Sequence, residues 1–376
     1  MPGPLTLTRK PLSAGDGATP PFGVYLHVPF CAARCDYCAF ATWTDRHDLQ
    51  DAYLDACRRD VERHVAAGMP PVTSVFVGGG TPSLVPPRAL AAVLDALPRA
   101  PGCELTVECN PDTVTAELVE VYAAAGVNRI SLGVQSMVEH VLVALGRTHD
   151  PASVARAVGL IRAAGIPTFN VDVIYGAAGE TLDDWRRTLD GILALEPPHV
   201  SAYALTVEPG TPLADDPARH PDDDDQAAKY ELATERLAAA GLGWYEISNW
   251  ARPGHECRHN QLYWSMGEYQ AFGCAGHSHR DGRRFWNVRT PERYIDAIDA
   301  GRSPVAAGER LDEPARRVEA LSLALRTSAG VPVDALSADD RAELEGLVEE
   351  RDERLVLTVR GRLLANEVAV RLRWRG

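Results

Sequence analysis

The chain of 376 residues carries a formal net charge of −14, with 45% apolar and 24% charged residues. These values suit a folded globular protein of two or three domains, or one barrel with additions. The acidic balance, without a concentrated basic run, argues against a nucleic-acid partner. No stretch approaches the ~20 consecutive apolar residues of a membrane-crossing helix, and the first residues lack the apolar core of a secretory signal.

In chain order, residues 1–21 are rich in Pro, Gly and Ala and read as a flexible leader. Short apolar runs then predict strands at 24–28, 74–77, 104–108, 129–134, 168–174 and 200–206. Amphipathic stretches between them predict helices at 49–67, 87–97, 115–125, 151–164, 182–195 and 225–240. Thr115 before Glu117 and Gly126 after Ala125 mark one start and stop. Such strand–helix repeats imply an α/β fold, a partial TIM-like barrel of six units spanning 22–240. In such barrels function sits at the C-terminal strand ends. The acidic run 222–225 reads as a solvated helix start. Residues 241–308, with Trp244, Trp250, Trp264 and Trp286, read as an irregular aromatic and histidine-rich segment, and 296–309 as a linker. The stretch 309–376 predicts a small winged-helix-like unit, with helices near 316–325 and 338–350 and β runs at 355–357 and 363–372. A plain helical lid is the alternative.

The chain has eight cysteines. Three of them follow the first strand as Cys31-Ala-Ala-Arg-Cys35-Asp-Tyr37-Cys38. A turn of that length aims three thiolates at one point. A four-iron cluster is commonly held by four cysteines, so three leave one iron open to a ligand. A structural zinc site wants a second tight pair, which Cys57, Cys103, Cys109, Cys257 and Cys274 do not form. A disulfide reading would require oxidising surroundings. The cluster reading is favoured, and a thiolate-held cluster belongs in a reducing compartment; cytoplasm is expected.

Polar residues gather at the other strand ends. Gly78-Gly79-Gly80-Thr81-Pro82 follows strand two, where bare backbone meets a ligand or makes a tight turn. Glu108 ends strand three, as a ligand group or a helix cap. Gln135 ends strand four with an amide that donates and accepts at once. Arg147 offers a bidentate fork for a carboxylate, or a surface ion pair. Asp172 lies within an apolar strand and needs a partner, because burying it unpaired is costly. A hydroxyl ligand or a neighbouring amide would serve. Tyr25 on strand one faces a ligand or packs.

The C-x3-C-x-aromatic-C loop after a first strand resembles that of the radical S-adenosylmethionine (SAM) superfamily. The resemblance implies a [4Fe–4S] cluster on Cys31, Cys35 and Cys38, whose open iron chelates SAM. It also implies a SAM site made from Tyr25, Tyr37, Gly79, Gly80, Thr81, Glu108, Gln135, Arg147 and Asp172, and an electron donor to the cluster.

Further motifs resemble the branch that contains oxygen-independent coproporphyrinogen III oxidase. They are Glu-Ile-Ser-Asn-Trp at 246–250, Arg258-His259-Asn260-Gln261-Leu262-Tyr263-Trp264, Gly273-Cys-Ala-Gly-His277-Ser278, Gly176-Ala-Ala-Gly-Glu-Thr181 and Leu357-Thr358 with Gly361-Arg362-Leu363-Leu364. The H-N-x-x-Y-W segment is similar to that of the HemW-type heme chaperones. The oxidases carry another cysteine two places after the third, where this chain has Phe40, and a longer stretch before the first. Both departures favour the heme chaperone. A radical SAM C-methyltransferase or cyclopropanase of the same branch, or the oxidase itself, remain the alternatives. The chaperone reading implies heme as cargo and a heme-accepting apo-protein, membrane-associated or not. The candidate heme residues are His259, Tyr263, Trp264, His255 and His277, with His259 leading. The usual Gly-Ala-His order reads Ala275-Gly276-His277 here.

Overall fold

The computed structural model describes residues 20–147 and 149–372. The expected leader thus lies almost wholly outside the described residues. Runs rich in Val, Ile, Leu and Phe form six strands: β1 (Phe22–Val28), β2 (Val72–Gly79), β3 (Arg99–Cys109), β4 (Arg129–Gln135), β5 (Thr168–Tyr175) and β6 (His199–Ala204). They pair in parallel and in sequence order. The pleat sorts their side chains. On β1, Val24, Leu26 and Val28 are buried outward against the helices, which leaves Tyr25 and His27 to the interior.

The covering helices are Gln50–Ala66, Pro87–Asp95, Ala116–Ala124, Pro151–Ala163, Leu182–Leu193 and Asp223–Ala239. Local chemistry sets where they begin. The Thr115 hydroxyl accepts from the Leu118 N–H, and Thr181 forms a reciprocal capping box with Asp184. The acidic run starts its helix as expected: Asp222 accepts from the Asp225 N–H. Asp225 then pairs with the buried Lys229, which also meets the buried Glu180 at 3.1 Å. A short helix, Glu139–Ala144, was not anticipated.

The segment 241–308 is not irregular. It contains β7 (Gly243–Glu246), β8 (Asn249–Ala251), β9 (Glu268–Phe272), β10 (His277–Arg280), β11 (Arg283–Asn287) and β12 (Val305–Arg310), so the expected linker is partly a strand. Helices Arg258–Trp264 and Pro291–Asp299 lie between them. These strands extend the sheet at both edges, giving the order β12-β11-β10-β9-β1-β2-β3-β4-β5-β6-β8-β7. β9 runs parallel to β1 and adds a seventh strand to the parallel set. The helix Pro291–Asp299 is fastened to Gln50–Ala66 through the Tyr294 hydroxyl, which donates to Asp60 at 2.6 Å.

The C-terminal unit has its own apolar cluster, including Leu325, Leu336, Leu344, Leu355 and Val368. Helices Glu313–Leu325 and Ala338–Glu343 precede the hairpin β14 (Val348–Arg351) and β15 (Arg354–Leu357), which also pairs with β13 (Val331–Pro332). Helices and a small antiparallel wing are the winged-helix-like elements expected. The run 363–372 is not β, however: Val359–Leu363 and Ala365–Arg371 are helical, the first capped by Thr358. The unit meets the barrel where the Arg362 guanidinium lies 4.3 Å from the Trp244 ring centre. Among the described residues no helix is long and apolar enough to cross a membrane.

Candidate cofactor and ligand site

The cysteine loop leaves the C-terminal end of β1 and is tied down on several sides. The Cys31 N–H donates to the Trp43 carbonyl, and the Trp43 N–H to the Pro29 carbonyl. The His27 Nε2–H donates to the Ala41 carbonyl at 2.9 Å, which leaves Nδ1 to accept from the Tyr25 hydroxyl. Arg34 donates to the Cys38 carbonyl and Arg219 to the Asp36 carboxylate. Thr81 reaches the Cys31 sulfur at 3.7 Å, and Arg147 the Cys35 sulfur at 3.5 Å. Arg219 and Asp36 were not singled out from the sequence; 183 residues separate them, and no local pattern joins them.

Cys31, Cys35 and Cys38 are partly exposed, whereas the other five cysteines are buried. Burial raises the Cys31 and Cys38 thiols above their ordinary value; coordination requires the thiolate. Among the described residues no three His, Cys, Asp or Glu side chains gather as donors to one ion. A four-iron cluster, with each thiolate on a separate iron, does not ask for that. Three accessible thiols on one loop, beside a guanidinium, are a donor set that fits such a cluster.

The glycines after β2 are required by close approach. A Cβ on Gly80 would lie 2.6 Å from the Phe30 carbonyl oxygen, and one on Gly79, at φ +111°, 2.4 Å from the His27 ring. Their amides are already used within the protein. Gly80 N–H donates to the Val28 carbonyl, Thr81 N–H to the Phe30 carbonyl, and Gly79 N–H to Glu108. The run therefore seats the cysteine loop against β2.

Glu108 and Asp172 face each other across the interior. Burial, and then the Asp172 charge, push the Glu108 carboxyl up to about 8. Burial raises Asp172 too, opposed by hydrogen bonds from Ser131 (2.7 Å) and Asn170 (2.6 Å). Tyr203 on β6 sits beside this pair and is 39% exposed, so the interior is open there. Gln135 takes φ +63° at a bulge between β4 and β5. Its amide folds over Gly133, beside the Arg147 guanidinium. Tyr25 stacks on Phe76 at 6.5 Å, and Tyr37 packs against an apolar cluster that includes Leu145, Leu205 and Leu213. The expected residues Tyr25, Tyr37, Gly79, Gly80, Thr81, Glu108, Gln135, Arg147 and Asp172 thus share the C-terminal end of the barrel with the cysteines.

Most of the expected heme residues lie at the opposite end. The helix Arg258–Trp264 crosses beneath the N-terminal ends of the strands, with the Arg258 and His259 N–H groups on the Glu104 carboxylate. His259 is 0% exposed. Its Nδ1 meets the Ser74 hydroxyl at 3.1 Å and its Nε2 the Tyr263 hydroxyl at 2.8 Å. Burial lowers its pKa to about 3. His255 is bound to Thr168 at 2.7 Å, and Trp264 lies under the Arg326 guanidinium. His259, Tyr263, Trp264 and His255 thus close the barrel floor, and neither ring nitrogen of His259 is free for iron. The H-x3-Y spacing, one helical turn, accounts for this internal bond.

His277 is placed differently. It opens β10 on the exposed surface, opposite Trp286 of β11, with ring centres 5.5 Å apart. The turn before it sets Ala275 at φ +53°, where glycine would be less strained. The reversed Ala275-Gly276 order keeps Cβ off position 276, where it would lie 2.9 Å from that of Ala271.

A six-unit parallel barrel with three cysteines on its first loop and glycines, carboxylates and an arginine at the following strand ends defines a radical SAM protein. The radical SAM superfamily model matches residues 25–192, and membership implies a [4Fe–4S] cluster and SAM as cofactors. Over most of its length the chain is similar to curated heme chaperones HemW: 43% identical to that of Mycobacterium tuberculosis (93% of this chain, 94% of the relative), 35% to that of Escherichia coli (93% and 97%) and 33% to that of Bacillus subtilis (92% and 97%). The chain belongs to the HemW family. Its fold is that of the coproporphyrinogen III oxidase HemN of Escherichia coli, with a TM-score of 0.82 over 94% of this chain and 90% of that one at 20% identity.

Proposed function

We propose that this chain is a heme chaperone. It holds a [4Fe–4S] cluster on Cys31, Cys35 and Cys38, binds SAM at the strand ends, takes up heme and passes it to an acceptor protein. The observation that carries this reading is the 43% identity to a curated heme chaperone over 93% of the chain. Phe40 adds to it, because it stands where the oxidases carry a further cysteine.

Within this reading the residues have separate tasks. Cys31, Cys35 and Cys38 supply three thiolates, and the cluster, when bound, supplies an iron open to SAM. Arg147 sits where it can meet the carboxylate of SAM and already touches Cys35. Glu108, protonated near neutral pH by its raised pKa, offers an O–H donor beside Asp172. Gln135, Tyr25, Tyr37, Gly79, Gly80 and Thr81 shape the walls. An electron donor serves the cluster, and a reducing compartment, the cytoplasm, suits it.

The test uses anaerobically reconstituted full-length protein. Heme titration should give a bound-heme optical spectrum, and an added apo-hemoprotein should take the heme away, while coproporphyrinogen III is left unconverted. Decarboxylation of coproporphyrinogen, or no heme binding, would sink the proposal.

A further inference from the structure

The protein has eleven histidines. Most are engaged. His27 bonds Tyr25 and Ala41, His199 bonds Asn170 and Tyr245, and His259 bonds Ser74 and Tyr263. His47, His64, His220, His255 and His279 each use one ring nitrogen on a neighbour, and His140 faces Asp184. His149 is buried, 4% exposed. Among the described residues, His277 alone combines an exposed ring with two unengaged nitrogens.

Its position follows from the register. Tyr25 pairs with Ala271, His279 with Tyr269, and His277 with Trp286. Residues two apart share a face. Tyr25, Tyr269, His277, His279, Arg284 and Trp286 therefore lie on one face of the sheet, continuous with the barrel interior. His277 stands two strands from β1, about 10 Å away at ordinary strand spacing, on the half of the sheet nearer the cysteine loop. Trp286 lies nearly parallel to the imidazole, with 26° between the planes, and limits its rotation.

From this placement we infer that His277, the exposed residue of this face, is the axial ligand for the iron of the heme cargo, with Trp286 holding the imidazole. The inference rests on the heme-chaperone reading. A ring nitrogen gives its lone pair to iron, and no electron or proton is transferred. Partial burial and the nearby Arg284 lower its pKa, which favours the neutral form that ligates iron. One exposed ligand also suits a carrier, since an acceptor's own ligand can approach the iron from solvent.

The experiment compares heme titrations of the full-length protein with those of His277→Ala, His277→Gly and His259→Ala. Circular dichroism, melting temperature and iron content of the cluster are followed alongside. In His277→Ala the Soret maximum should shift and retention should fall at least tenfold, with fold and cluster unchanged. Free imidazole should restore the wild-type spectrum to His277→Gly. A wild-type spectrum and retention in His277→Ala would overturn the ligand assignment while leaving the chaperone reading intact. Loss of the heme spectrum in a folded His259→Ala, with His277→Ala unaffected, would overturn it as well. A wild-type protein that binds no heme would remove both.

Discussion

Arg147 donates one guanidinium nitrogen to the Cys35 sulfur at 3.5 Å and the other to the Gly133 carbonyl at 3.0 Å. A single side chain thus couples the cysteine loop to the end of β4, beside Gln135. Its cationic form is held more firmly than usual by Tyr37 and Cys35, against the opposing effect of burial. Arg147→Ala should weaken SAM binding about 10–100-fold, the loss of one charge-assisted interaction of about 1.5–3 kcal/mol. Iron content should persist. Calorimetric titration of reconstituted protein checks this, and an unchanged SAM affinity would remove Arg147 from the site.

The cysteines divide by exposure. Cys31→Ala, Cys35→Ala or Cys38→Ala should each abolish a cluster of about four irons. Cys57 is buried in the core, with its thiol raised by that burial. Cys57→Ala should keep full iron content and lose about 1 kcal/mol of stability from reduced apolar burial. Iron analysis after anaerobic reconstitution distinguishes the two groups; equal loss from Cys57→Ala would break the three-ligand assignment.

His259 makes two hydrogen bonds and stacks on Phe76. Its removal should act on folding. His259→Ala is expected to cost about 2–4 kcal/mol, as for other buried truncations that strand polar partners. A chemical-denaturation curve measures it. An unchanged midpoint would mean that the helix Arg258–Trp264 does not close the barrel floor in solution.

Glu108 gives stability a pH dependence. Its folded pKa is near 8 against an ordinary 4.5, so between those values the folded chain binds one more proton than the unfolded chain. Its contribution is full below about 4.5 and is lost as the pH rises toward 8. Asp172 is raised and acts in the same direction. His259 acts oppositely: its pKa falls from 6.5 to about 3, and its contribution, full above 6.5, is lost as the pH falls toward 3. In protein without SAM, the melting temperature of Glu108→Gln should decline less than wild type between pH 5 and 8. Parallel curves would show that Glu108 is ionised in the fold.

The parallel core was legible because it depends on local pattern: each of the six strands is a contiguous apolar run, the helices between them are amphipathic, and Thr115, Asp150, Thr181 and Asp222 cap four of them. The cysteine loop was legible for the same reason. The edge strands were not. β10 and β11 are short and rich in His, Arg and Trp, and only pairing with β9 and β12 makes them strands. Arg219 and Tyr203 were missed because their roles arise from contacts with distant loops. His259 misled through its motif: its residue types suit iron ligation, but the i, i+4 tyrosine bonds the imidazole, and the sequence does not reveal which end of the barrel receives the helix.

The order of synthesis bears on the pairing of β1 with β9. β1 leaves the ribosome before the other described strands, and residues 268–272, which cover its outer edge, emerge after β2–β6 have been made. During that interval the β1 edge presents a row of unpaired N–H and C=O groups. The floor lacks Arg258–Trp264, so Ser74 and Glu104 are without their partners. A chain cut off near residue 240 would hold a nearly complete barrel with an adhesive rim, the kind of edge that recruits a strand from another molecule. Premature termination in that window should therefore produce aggregates rather than a smaller working protein.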